Sequence, residues 1–214
     1  QDTAPTVTPF SATNSQTYNY STSIQTYDSL GGSQQVNMYF VKTASNAWDV
    51  YSGPASGTIN KVGSVGFSTA GTLTSTTATA PATSPSTGQL AFTIPNTDGS
   101  ATPQSLTLDM SGTTQYGGKD GVTNLSQDGF ASGELTNFSI GADGTISGTY
   151  SNGRTQSLGQ IVLANFNNPN GLQNLGNNEF GETAASGVPQ ISAPGSTNHC
   201  TLTGGAVENS NVDL

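Results

Sequence analysis

The sequence predicts an all-β fold of antiparallel meanders arranged in two β-domains, and three observations predict it. The periodic segments alternate with period two, as in residues 18–27, where Tyr18, Tyr20, Thr22, Ile24 and Thr26 fall on one face. Gly-containing turns separate the runs. Among them are Gly141-Ala-Asp-Gly144 and Ser151-Asn-Gly-Arg154, whose Asp-Gly and Asn-Gly pairs supply the positive φ of tight hairpins. The 27 Gly, with abundant Thr, Ser and Asn and few Lys, Glu or Leu, disfavour helix and suit strands joined by turns.

Taken in order, residues 1–12 are polar and broken by Pro5 and Pro9, which suits an extended entry segment. After the strand at 18–27, Asp28-Ser-Leu-Gly-Gly32 turns the chain into a strand at 34–42. Val36, Met38 and Phe40 lie on one face of it, Tyr39 and Val41 on the other. A turn at 44–46 leads into Ala47-Trp-Asp-Val-Tyr51, which completes a three-stranded antiparallel meander. Residues 58–73 hold two short strands around Val62, Val65 and Phe67, with a turn at Ala70-Gly71. Residues 74–88, rich in Thr and Ala with two prolines, show no apolar face and are read as an exposed, mobile loop. Residues 90–94 and 106–110 alternate again and are read as strands. The Gly-rich stretch 116–133 carries the boundary between domains 1–132 and 133–214.

The second domain opens on Leu135-Thr-Asn-Phe-Ser-Ile140, Thr145-Ile-Ser-Gly-Thr-Tyr150 and one long run over 156–166, a second three-stranded meander. Residues 167–187, rich in Asn and Gly, read as an irregular loop pinned to the core by Leu172, Leu175 and Phe180. The best short helix is 179–186, and 188–198, with Pro189 and Pro194, is extended. No helix longer than two turns and no internal repeat is expected.

Charge excludes several function classes. Only 8% of residues are charged, 4 basic against 13 acidic, for a net charge of −9. Lys42, Lys61, Lys119 and Arg154 are scattered, which argues against nucleic acid and against anionic lipid, since both need clustered cations. No apolar run approaches the roughly 20 residues of a membrane helix, and the segment after Gln1 shows no signal-peptide pattern. Cys200 is the only cysteine, so no internal disulfide forms and the disulfide-dense secreted class is excluded.

His199 and Cys200 are neighbours, and in an extended segment neighbours point to opposite faces, which is wrong for a thiol–imidazole pair. An incidental pair is the favoured reading, and no ligand spacing supports a metal there. Asp109, Asp120, Asp128, Asp143, Glu134, Glu179 and Glu182 could supply two carboxylates for glycoside hydrolysis. Against this, Asp28, Asp120 and Asp143 sit in Gly-containing turns, where Asp ordinarily bonds the local backbone. Gly117-Gly-Lys-Asp-Gly121 is faintly like a calcium loop, but a hairpin turn is favoured. Trp48 with Tyr39 and Tyr51 could stack a sugar, yet cross-strand packing is favoured. Three glycosylation triplets, at Asn19, Asn124 and Asn137, are expected by chance in such a composition. The residues therefore assign no catalytic, cofactor-binding or metal site.

Several blocks carry a family resemblance. They are Tyr27-Asp-Ser-Leu-Gly31, Val36-Asn-Met-Tyr-Phe-Val-Lys-Thr43, Asn46-Ala-Trp-Asp-Val-Tyr51, Gly133-Glu-Leu135 through Leu163-Ala-Asn-Phe166, residues 170–187, and the end Gly204-Gly-Ala-Val-Glu-Asn-Ser-Asn-Val-Asp-Leu214. Together they resemble the bacterial flagellar hook proteins, over most of the chain except 52–114. The resemblance implies a structural subunit rather than an enzyme, with no cofactor. It implies a flattened-barrel or sandwich-like outer domain at 1–132 and part of an irregular inner domain at 133–214. The terminal helices of the family would lie outside this fragment. Implied partners are other hook subunits in a homopolymer, then hook cap, distal rod and hook–filament junction proteins. The implied location is the extracellular hook, reached through the flagellar type III apparatus without a cleaved signal peptide. Weak β-domain contacts would leave this fragment a monomer. Ser196-Thr-Asn-His-Cys-Thr201 departs from the small, Gly-rich stretch of that family. The alternative is an extracellular β-sandwich module that binds carbohydrate or acts as an adhesin, with a glycosidase third.

Overall fold

Alternating side chains lay down the first sheet. In the computed structural model, which describes residues 3–196 and 201–206, five strands pair in sequence order. They are β1 (Tyr20–Tyr27), β2 (Ser33–Ala44), β3 (Ala47–Pro54), β4 (Asn60–Phe67) and β5 (Leu73–Ala78), all antiparallel. The expected three-stranded meander is thus the start of a five-stranded one. Asp28 closes the β1–β2 turn, its Oδ1 accepting from the backbone N–H of Leu30 at 2.8 Å and of Gly32 at 2.9 Å. Asn46, at φ 59°, takes the left-handed position of the β2–β3 turn.

Register decides which side chains meet. Phe40 lies opposite Val50, Lys42 opposite Trp48 and Met38 opposite Ser52, so these share one face. A second layer covers that face, a hairpin of β6 (Gln89–Ile94) and β7 (Gln104–Asp109). Leu90 from the hairpin joins Trp48, Val50, Val62, Val65 and Met110 in one buried cluster, ringed by Phe67, Leu73, Phe92 and Leu108. This is the two-layer arrangement that a half-apolar sheet requires. On the opposite face Tyr39 pairs with Tyr51, and Phe10 stacks on Tyr51 with ring centroids 4.0 Å apart. The entry segment is therefore folded onto the sheet rather than merely extended.

The stretch 74–88 corrects the expectation of a mobile loop. Its start belongs to β5, paired with β4 from Leu73 opposite Phe67 to Ala78 opposite Gly63. Beyond it, Thr83 bridges to Ala91, Gly88 N–H donates to Thr76 Oγ1 at 2.7 Å, and Ala82 packs on the core. Threonine has high strand propensity, and an edge strand needs backbone partners more than large side chains.

The chain divides into two compact units, Gln1–Ser132 and Gly133–Leu214. In the second, β8 (Leu135–Ile140), β9 (Thr145–Tyr150) and β10 (Thr155–Gln160) form a sheet in the order β10-β9-β8. The run expected over 156–166 is not one strand. It breaks at Ile161, whose N–H donates to the Gly144 carbonyl at 2.8 Å, and β11 (Leu163–Asn165) leaves to pair elsewhere.

Residues 167–187 also differ from expectation. They contain a 3-10 turn at Pro169–Gly171 and a hairpin of β12 (Gln173–Gly176) and β13 (Glu179–Gly181). Asn177 and Asn178, at φ 52° and 63°, form the tight turn that draws Glu179 into a strand, which displaces the expected helix at 179–186. Farther along, β14 (Gln190–Ser192) receives β11. Leu175 and Phe180, expected as anchors, are each 61% exposed. Hydrogen bonds hold the segment instead. Thr183 Oγ1 donates to the Gly171 carbonyl at 2.5 Å, and Ser186, fully buried, donates to the Thr183 carbonyl at 2.9 Å. Among the described residues there is no α-helix.

Candidate assembly surfaces

His199 and Cys200 lie outside the described residues. Asp143 and Asp109 serve turns. Asp143 accepts from the Thr145 N–H at 3.0 Å and hydroxyl at 2.8 Å, and Asp109 accepts from the Ser111 N–H at 2.9 Å. Those backbone bonds, first in each case, hold both carboxyls below the ordinary value. A general acid needs the opposite shift. Among the described residues no three His, Cys, Asp or Glu side chains are grouped to hold a metal ion. Residues 117–121 are flanked by no strand, so the expected hairpin turn there is not formed.

The aromatic trio is split by the sheet. Tyr39 and Tyr51 face Phe10, whereas Trp48 points into the core beside Val50. Trp48 Nε1 donates to Gln115 Oε1 at 2.6 Å, and Gln115 Nε2 donates to Asn46 Oδ1 at 2.7 Å. Buried Lys42 lies over the indole ring, 5.5 Å from its centroid. No open stacking platform results. Phe10 and Gln115 were missed by sequence reasoning. Phe10 had a weak signal, as the one aromatic residue in the first 17 positions.

An extended apolar surface lies in the second unit. Register across β8, β9 and β10 sets Leu135 opposite Tyr150, Phe138 opposite Gly148 and Ile140 opposite Ile146, on one face. Leu135 and Leu158 close over Gly148 so tightly that a Cβ there would come within 2.7 and 2.9 Å of them. On this face Leu135, Phe138 and Leu158 are 51%, 61% and 48% exposed. Leu175, Phe180, Val188 and Ile191 are exposed as well, and no Val, Ile, Leu or Phe of the unit is buried among the described residues. Contiguous exposed apolar surface of this kind commonly marks an interaction site.

Residues 1–130 match the family described as Flagellar basal body protein FlaE D2 domain. The whole chain aligns with the Flagellar hook protein FlgE of Escherichia coli, 40% identical over 217 residues and covering 51% of that protein. The chain belongs to the flagellar hook protein family. Its counterpart in Salmonella typhimurium is 38% identical over 224 residues, with 100% of this chain and 51% of the relative covered. That in Treponema pallidum is 34% identical over 227 residues, covering 91% and 49%. This hook-family chain thus spans about half the length of the curated relatives it matches. Among solved structures, that of the Helicobacter pylori flagellar hook protein FlgE2 aligns with 79% of this chain and 38% of its own, at 22% identity and a TM-score of 0.45. The family is a structural one.

Proposed function

We propose that this chain is the β-domain part of a flagellar hook subunit, with residues 1–132 as the outer hook domain and residues 133–214 as part of the inner domain. It acts by packing against other copies of itself, in a flexible tube that joins rod to filament, and not by catalysis. The setting is the extracellular hook, reached by flagellar type III export, with hook cap, distal rod and junction proteins at the ends of the polymer. The observation that carries this reading is the uncovered face of Leu135, Phe138 and Leu158, in a family whose members are named as hook proteins. A joint that bends while turning needs a stiff inner layer and outer contacts that rearrange at low cost. A self-contained sandwich with few surface charges suits the second role, because it offers neither deep apolar grips nor strong ion pairs. An open apolar sheet suits the first.

The test is a full-length subunit carrying Leu135→Asp, Phe138→Asp and Leu158→Asp together. Three carboxylates on a surface that must be buried disfavour assembly strongly. Electron microscopy should show no hooks. The same changes in the 214-residue chain should leave the near-ultraviolet circular dichroism of the Trp48 region unaltered. Normal hooks from the triple variant would overturn the proposal.

A further inference from the structure

Two buried side-chain oxygens among the described residues accept no hydrogen bond, Asp28 Oδ2 and Gln104 Oε1. Both belong to one end of the first unit, since Gln104 Nε2 donates at 3.0 Å to the carbonyl of Tyr27, next to Asp28. Asp28 is only 8% exposed. Facing it is Asp98, on the loop between β6 and β7. Each carboxylate commits Oδ1 to its own turn. That of Asp28 takes the Leu30 and Gly32 N–H groups, and that of Asp98 takes the Ser100 N–H at 3.1 Å and hydroxyl at 2.6 Å. The two Oδ2 atoms are left converging on the same small space.

That space exists because residue 32 has no side chain. A Cβ at Gly32 would overlap Asp28 Oδ2 and come within 3.0 Å of Asp98 Oδ2. The arrangement is held from both sides. Ser29 Oγ accepts from the Ala101 N–H at 2.9 Å, and Gln34 Nε2 donates to Asn96 Oδ1 at 2.7 Å. Among the described residues no basic side chain pairs with either carboxylate. Asp98 is drawn down to about 2, first by the Ser100 hydroxyl and then by a side-chain hydrogen bond with Asp28. A buried carboxylate oxygen without a donor is costly, and two converging carboxylates repel unless a proton or a cation lies between them.

We infer that Asp28 and Asp98 form a binding site for a hard divalent cation of the calcium class, seated between their Oδ2 atoms beside Gly32. Donors that are all oxygen favour such an ion over zinc or copper, which prefer nitrogen and sulfur. Calcium tolerates the irregular geometry of two turn carboxylates completed by water, whereas magnesium demands a regular octahedron. With only two charged ligands the affinity belongs to the weak, extracellular range of about 10⁻⁴ to 10⁻³ M. Binding latches the β1–β2 turn to the β6–β7 loop. This rests on unit 1 alone and stands whether or not the assembly role holds.

The experiment is thermal unfolding of the 214-residue chain, followed by Trp48 fluorescence after EDTA treatment and then with calcium chloride at up to about ten times the expected dissociation constant. Saturation at that level raises the folded-to-unfolded ratio about tenfold, read as a midpoint several degrees higher. Magnesium at equal concentration should do less, and sodium chloride at equal ionic strength should not reproduce the rise. Asp98→Asn keeps the acceptor for Ser100 but should abolish the calcium response, whereas Asp109→Asn should keep it. A wild-type midpoint unmoved by calcium, or an equal rise in Asp98→Asn, overturns the site. So does a midpoint that responds to acid but not to calcium, which would mean that the two carboxylates share a proton.

Discussion

In the first unit, alternating strands bring Trp48, Val50, Val62 and Val65 under a hairpin that adds Leu90. In the second, alternating strands β8 to β10 leave Leu135, Phe138 and Leu158 about half exposed. Both sheets are antiparallel ladders that contain register shifts, and tight turns close both. The difference is the second layer. Residues 1–132 contain the cover for their own apolar face, whereas among the described residues of the second unit Leu135, Phe138 and Leu158 stay exposed. Strands thus arise from local alternation and turn chemistry, while a core requires a facing layer, which belongs to the whole chain or to a partner.

The largest test of that contrast compares truncations. Leu90→Ala removes a fully buried side chain and should cost about 2–5 kcal/mol, whereas Leu175→Ala and Phe180→Ala, on an open surface, should stay within about 0.5 kcal/mol. Urea unfolding of each variant measures both, and similar losses would erase the distinction between the units. Next in size is Gly63→Ala on β4. A Cβ there would come within 2.6 Å of both Leu90 Cδ2 and the Thr77 carbonyl, and the backbone cannot yield as a side chain can. A loss of about 1–3 kcal/mol is expected, of the kind seen when a packed core is overfilled.

A third comparison reads surface rather than stability. The 214-residue chain should bind an apolar dye, and replacing Leu135, Phe138 and Leu158 by Ser should remove most of that fluorescence. Sedimentation at micromolar concentration should still give a monomer, because association loses freedom worth several kcal/mol and the apolar side chains are spread over small separate sheets. A stable dimer would show that this face alone drives assembly.

The smallest expected effect is on pH. Folding lowers the pKa of Asp98 to about 2, and lowers Asp109 and Asp143 through bonds to their own turns. A lowered folded-state value means that the contribution is present above the unfolded value, near 4, and is lost as pH falls through the folded value. For Asp98 that window runs from about 4 to about 2. All three are solvent-exposed, so the change is slight. Midpoints measured from pH 5 to 2 should fall more steeply in the wild type than in Asp98→Asn, and parallel curves would remove Asp98 from the account.

Much of the first unit was legible because its signals are local. Val36, Met38 and Phe40 alternate, and Asp28 and Asn46 sit where tight turns need them. The strand at β5 was not legible, because Thr-Ser-Thr-Thr carries no apolar stripe and its edge position depends on β4 being there to pair with. Leu175 and Phe180 were misread as anchors, since an apolar side chain in sequence looks the same whether it is buried by its own domain or waits for another. The candidate assembly face was half legible. Its strands were expected, but their lack of a cover was not.

The sequence by itself determined the all-β class, the meanders and the positions of most turns, since alternation and positive-φ residues act over a few positions. It also argued against nucleic-acid and anionic-lipid binding, because its four cations are scattered along the chain. Tertiary structure alone decided that Trp48 turns inward while Tyr39 and Tyr51 turn toward Phe10. It alone set Asp28 against Asp98 and left the second sheet open. Each of these joins residues far apart in the chain, and such meetings are fixed by how layers close on one another, which no local pattern encodes.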